Sequence, residues 1–272
     1  MRPAAVALSA LMCLVLEAAA FAAAPLFPTP LHITRQVHDP IAGTTNVLDE
    51  YGIGNRLISI RAERTSIADY EKGELMEIDR KTGTYSITRF DAVAKVAQVT
   101  GAPVATKTGG LKPAAPQSLG MKATRTGRNA EFFEAEVDGE VKQRVEIAVD
   151  RNTLVSKEAL EVLLGAAYPG VRRPEHDAVL SAARSQRPRG VMTQSESSEP
   201  AFAIPVEQTI HYELDGQQLE FRTSVVRLGT ETPPADLVSI PPGARLVVSR
   251  YVAVMQELEK LEHPGTPVSN DH

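Results

Sequence analysis

GNRLISIRAERTSIADYEKGELMEIDRKTGTYSI, residues 54–87, is the stretch whose reading decides the fold class. Ile58 and Ile60 alternate with polar neighbours, as do Met76 and Ile78, then Tyr85 and Ile87. A period of two places alternate side chains on one face, the mark of a half-buried strand. Strands are therefore expected at 56–61, 66–70, 74–79 and 84–89. Lys72-Gly73 and Lys81-Thr82-Gly83 supply turn chemistry between them, and Tyr51-Gly52-Ile53-Gly54-Asn55 supplies it just upstream. The pattern predicts an antiparallel meander joined by hairpins and not βαβ units.

Working toward the N-terminus, strands are expected at 44–51 and 31–37, preceded by a proline-rich leader at 25–30. Residues 1–23 combine Arg2, an apolar run and a zone of small residues, the layout of a secretory signal peptide. That run is short for a membrane span of about 20 residues. Cys13 is the only cysteine. The residues before it, Ala10-Leu11-Met12, lack the small residue expected ahead of a lipidated cysteine. With the leader removed, no thiolate site or disulfide is available, so packing must hold the fold.

Toward the C-terminus, Asp91 reads as the cap of a short helix carrying Val93 and Val96. Residues 100–120 are rich in Gly, Pro, Ala, Thr and Lys and read as a flexible loop. Phe133, Ala135 and Val137 alternate, and Asp138-Gly139 signals a hairpin. In the next strand Val141, Val145, Ile147 and Val149 face one way, with Lys142, Arg144, Glu146 and Asp150 opposite. Helices are expected around Leu154, Leu160, Leu163 and Leu164, and again over about 174–185. Strands at 203–214 and 217–228 are joined at Asp215-Gly216. Four prolines punctuate 230–244. A helix from about Leu246 carries Val247, Tyr251, Val254, Met255, Leu258 and Leu261 at helical spacing, a stripe read as core. Residues 263–272 read as a disordered tail. The domain reading is a signal peptide at 1–23, one domain at 24–262 and the tail.

The chain carries 29 Lys+Arg against 34 Asp+Glu, a net charge of −5. Arg2 and Glu17 are the leader's only charges, so removing it leaves that balance unchanged. A mildly acidic chain without a basic cluster gives no electrostatic case for nucleic acid. No segment after the leader is long and apolar enough for a membrane helix.

The search for chemistry is largely negative. Gly52-Ile53-Gly54 lacks the rest of a phosphate loop. There is no Gly-x-Ser-x-Gly elbow and no His-Glu-x-x-His zinc signature. His32 and His38 would lie about 20 Å apart on one strand, too far to share a metal. Both read as partly exposed strand residues. Glu175-His176-Asp177 reads as the polar start of a helix, and His211 as exposed. No catalytic residue, metal or cofactor is assigned, and the chain is read as a non-enzyme. The enzyme alternative, an envelope hydrolase, would need a carboxylate pair in one cleft.

One resemblance draws these segments together. In the quoted run Asp69, Tyr70, Gly73, Ile78, Asp79, Lys81 and Tyr85 resemble the first meander of the periplasmic lipoprotein-carrier half-barrels (the LolA/LolB type). The late segment PPADLVSIPPGARLV, residues 233–247, is similar to that family's closing motif at Val238, Ile240, Pro241 and Gly243. It departs at Leu237 and Ala244, which stand where the family has aromatics. TGRNAEFFEAEV, residues 126–137, resembles a strand entry in a related exported domain family of unknown function. It departs at Ala130, Glu131 and Phe132.

The resemblance implies an α+β, mainly β fold: a curved antiparallel sheet, or half-barrel, of about ten strands wrapped over helices. It implies an exported protein of the bacterial periplasm or envelope that binds a lipid, an acylated ligand or another apolar ligand on its concave face. The expected lining is Ile58, Ile60, Met76, Ile78, Tyr85 and Ile87 from the first half. Phe133, Val145, Ile147, Tyr212 and Phe221 complete it from the second. The alternative is an envelope interaction or structural protein whose interior is filled by its own helices.

Overall fold

The computed structural model describes residues 24–99, 115–137, 143–164, 175–184, 201–214 and 216–262. The signal peptide expected at 1–23, the tail expected at 263–272 and Asp138-Gly139 lie outside these residues, as does most of the loop expected at 100–120.

Three hairpin turns are built by one five-residue pattern, Asp-x-x-x-Gly, at Asp39–Gly43, Asp69–Gly73 and Asp79–Gly83. In each, the aspartate carboxylate accepts backbone N–H groups of the turn. Asp39 accepts from Ile41 and Ala42, Asp69 from Glu71 and Lys72, and Asp79 from Thr82. The closing glycine is left-handed, with φ of +68° at Gly73 and +63° at Gly83. Glycine adopts that conformation without a Cβ penalty. Lys72 and Arg56 hold the Asp69 carboxyl below its ordinary range, although burial pulls the other way.

These turns join β1 (Phe27–Asp39) to β2 (Thr44–Gly54), β4 (Arg64–Asp69) to β5 (Glu74–Asp79) and β5 to β6 (Thr84–Arg89), with β3 (Arg56–Arg61) between β2 and β4. Helix α1 (Phe90–Val99) follows, then β7 (Gln117–Ala123), β8 (Asn129–Val137) and β9 (Gln143–Val155). Next come α2 (Lys157–Leu163), α3 (His176–Ala183), β10 (Phe202–Leu214) and β11 (Gln217–Gly229). The last described elements are α4 (Ala235–Val238), β12 (Arg245–Leu246) and α5 (Arg250–Glu262). The fold is mainly β, and all twelve strands form one open sheet in the order β12-β6-β5-β4-β3-β2-β1-β11-β10-β9-β8-β7. Every pairing is antiparallel except β12 with β6.

The strand count exceeds the expected ten. The extra strands are one at 117–123, which overlaps the end of the segment read as a loop, and the two-residue β12. The leader read at 25–30 is also strand from Phe27 onward. Pro28 and Pro30 fall where the β1–β2 register shifts, a position that does not need their missing N–H. Leu154, expected in a helix, lies just before the end of β9 at Val155 and is exposed; α2 starts only after Ser156, whose Oγ accepts the Ala159 N–H at 3.1 Å. Residues 245–246 pair with β6 instead of opening the last helix, and no described side chain of α5 is fully buried.

Directly paired residues share a face, so the registers assign sides across the whole sheet. On one face Leu57 pairs with Ala68, and Ala68 and Leu75 pack against Phe90 and Val93 of α1. Farther along that face, Val145, Ile147 and Phe133 lie under Leu160 of α2 and Val179 of α3. α5 reaches the same side, where Arg250 Nη2 is 3.1 Å from Glu77 Oε1. The opposite face carries Tyr51, Ile58, Ile60 and Ile67, covered by Leu237 and Val238.

The segment after β11 therefore works as a strap. It crosses the second face at α4, where Thr65 Oγ1 donates to the Leu237 carbonyl at 2.9 Å and Arg80 Nη2 to the Asp236 carbonyl at 2.7 Å. It then turns around the sheet edge at β12 and reaches the helix-bearing face at Arg250.

Candidate functional site

Arg35 and Glu50 sit opposite the ends of α2 and α3, in the middle of the sheet. β1 alternates Leu31, Ile33, Arg35 and Val37 on the helix-bearing face, and β2 brings Glu50 to the same side. Arg35 Nε donates to Glu50 Oε2 at 2.5 Å, and both side chains are at most about a tenth exposed. Arg35 Nη2 finds no acceptor among the described residues. A paired charge at this depth is tolerated, whereas an unpaired one is costly.

Beside this pair lies a cleft of about 150 Å³. Its walls are Leu163 and Leu164 at the end of α2, Glu175 and His176 at the start of α3, and Ile210, Phe221 and Thr223 on the sheet. The expected polar helix start at 175–177 is where α3 begins, but Glu175 and His176 are buried there. A second cleft, of about 190 Å³, opens between β4–β6 and residues 247–250 and is lined mainly by polar side chains, among them Arg64, Glu77 and Asp79. Among the described residues no group of three His, Cys, Asp or Glu side chains is placed to hold a metal, and no helix is long and apolar enough to cross a membrane.

The eleven residues expected to line one concave face divide between two faces. Ile58 and Ile67 are paired, and Ile67, Met76 and Ile87 are linked in turn, while Ile78 pairs with Tyr85; all belong to the strap side with Ile60. Phe133, Val145, Ile147, Tyr212 and Phe221 belong to the helix side. Phe133, Val145 and Ile147 are sealed under the helices, and Tyr212 and Phe221 pack at the margin of that cluster. Ile87 is 49% exposed. Only Phe221 of the set reaches the first cleft. Alternation reveals which residues of one strand share a face; the count of strands and bulges between two distant strands decides whether their faces coincide.

The Arg35–Glu50 pair was missed, although its signal was present. A charged residue at an inward step of an apolar alternation marks a buried ion pair or a site, and β1 shows one at Arg35, in step with Leu31, Ile33 and Val37.

The strap face holds a second polar cluster. His32, expected to be partly exposed, is 4% exposed. Its ring stacks on Tyr51 with centroids 4.2 Å apart and planes 9° from parallel. Nε2 lies 3.2 Å from Asp49 Oδ1, and Nδ1 lies 3.2 Å from Glu231 Oε2. Thr34 Oγ1 donates to Asp49 at 2.6 Å, and Arg227 pairs with the other Glu231 oxygen. Burial first, and Asp49 next, raise the Tyr51 phenol. Its own backbone N–H, Arg227 and His32 lower the Glu231 carboxyl. His211 is a quarter exposed, with Nε2 3.3 Å from Glu146 Oε1.

No family model and no curated protein matches the chain. Among solved structures it is similar to one described as "Structure of PNGF-II in C2 space group", with a TM-score of 0.37 and 7% identity. That match covers 85% of this chain and 33% of the other, so the chain spans about a third of that protein's length. A likeness at this level carries no argument about fold or activity.

Proposed function

We propose that this chain is a non-enzymatic, exported protein of the bacterial cell envelope that acts through its surface, with its interior filled by its own helices. The observation that carries this reading is the burial of the residues between helices and sheet. Leu160 and Val179 are 0% exposed and Leu163 is 4% exposed. They occupy the face that a half-barrel carrier of the kind resembled would keep open for acyl chains. The cleft beside Arg35 and Glu50, about 150 Å³, is below the roughly 300–1,000 Å³ typical of sites for drug-sized ligands. The leader at 1–23 supports export.

The lipid-carrier reading draws on Leu163, Leu164, Ile210 and Phe221, which give that cleft an apolar wall. It has room for one small apolar group beside Arg35. Native mass spectrometry of protein gently purified from an exporting bacterial host decides between the two. The expected result is the mass of the bare chain. A retained lipid that exchanges with a fluorescent fatty acid would overturn the proposal in favour of the carrier.

A further inference from the structure

We propose that His32 is a proton-operated latch that fastens the root of the C-terminal strap to the sheet. Glu231 is two residues beyond β11, where the chain leaves the sheet to begin its crossing. Its carboxylate lies against His32 Nδ1, while Asp49 lies against Nε2 on the other side of the ring, each at 3.2 Å. An ionised carboxylate only accepts hydrogen bonds. Both ring nitrogens therefore have to donate, and only the protonated imidazole has two N–H groups. The neutral ring serves one carboxylate and turns a lone pair toward the other.

Asp49 is also held by Thr34, so it keeps a donor when the ring loses its proton. Glu231 keeps Arg227, which is on β11 and not on the strap's path, and loses its tie to β1. The groups facing the ring are thus Asp49 and Tyr51 from β2, Glu231 from the strap root with Arg227 behind it, and Thr34 from its own strand. Gly229 makes the arrangement possible. It pairs with His32 in the ladder, and a Cβ there would collide with the Glu231 carboxylate.

The latch is closed when the imidazole is protonated and opens as pH rises through its titration. At the acid end it opens again only below the ordinary carboxylate range, because the Glu231 carboxyl is held low. The strap covers Tyr51, Ile58, Ile60 and Ile67, so its release would bare an apolar patch on that face.

The test is amide hydrogen exchange of residues 231–232 and 235–238, on either side of Pro233 and Pro234, across the imidazole titration, followed by the His32 ring resonances and corrected for intrinsic exchange. Glu231 is about half exposed, so the effect is that of a solvent-screened pair. Protection should fall roughly two- to fivefold as the ring deprotonates. Glu231→Gln should abolish the pH dependence while leaving the sheet's exchange unchanged. Gly229→Ala, which keeps every charge but displaces the carboxylate, should lower protection at all pH values. A wild-type strap whose protection ignores the His32 titration, or a Glu231→Gln protein that keeps the same dependence, would overturn the latch.

Discussion

On one face of the sheet α2 and α3 bury Leu160, Val179, Val145 and Ile147 completely, and α1 covers Leu75. On the other, a four-residue helix, α4, rests on Ile58, Ile60 and Ile67 without burying any of its own residues. Burial is the main stabilising term and scales with area removed from water. The helix-bearing face should therefore carry most of the fold's stability. The strap face should carry less, and its local opening should cost less free energy than global unfolding.

Three substitutions sharpen or break that contrast. Arg35→Met should have the largest effect, about 3–5 kcal/mol, because it leaves Glu50 buried without its partner. Denaturant unfolding measures it, and adding Glu50→Leu should recover most of the loss. If the single variant costs nothing, the charge pair is not buried and the contrast between faces fails at its centre. Leu237→Ala on the strap should cost about 1 kcal/mol, since its side chain is only half buried. A loss as large as that of Arg35→Met would place the strap within the main cooperative core. Leu246→Ser, at a residue 64% exposed on the sheet edge, should change the unfolding free energy by less than about 0.5 kcal/mol. A larger loss would show that this edge is covered in solution.

The first half of the sheet could be read from sequence almost residue by residue because its determinants are local. Ile58, Ile60, Ile67 and Ile78 mark one face at period two, and the Asp-x-x-x-Gly turns satisfy their own backbone groups. The second half was harder because its determinants are distant. β10 carries register shifts at Ala203/Ile204 and at Pro205/Glu207, which alter pairing without interrupting the apolar pattern. β7 is exposed along its length, so no alternation of burial distinguishes it from a loop. Leu154 looked helical beside Leu160, Leu163 and Leu164, but β9 runs on to Val155 and the Ser156 cap sets the helix start.

The candidate sites depended still more on distance. Arg35 and Glu50 are 15 residues apart, and Glu175 and His176 lie more than a hundred residues further on. His32 meets Glu231 across 199 residues. The sequence by itself determined the mainly β class, the hairpin meander, most strand positions and which neighbours along a strand share a face. Those properties follow from side-chain period and turn stereochemistry, which act over a few residues. Only the tertiary structure decided that β1 joins β11, that the expected lining divides between two faces, and that the last segment wraps an edge. Such outcomes depend on which distant surfaces bury one another, and no short-range pattern encodes that choice.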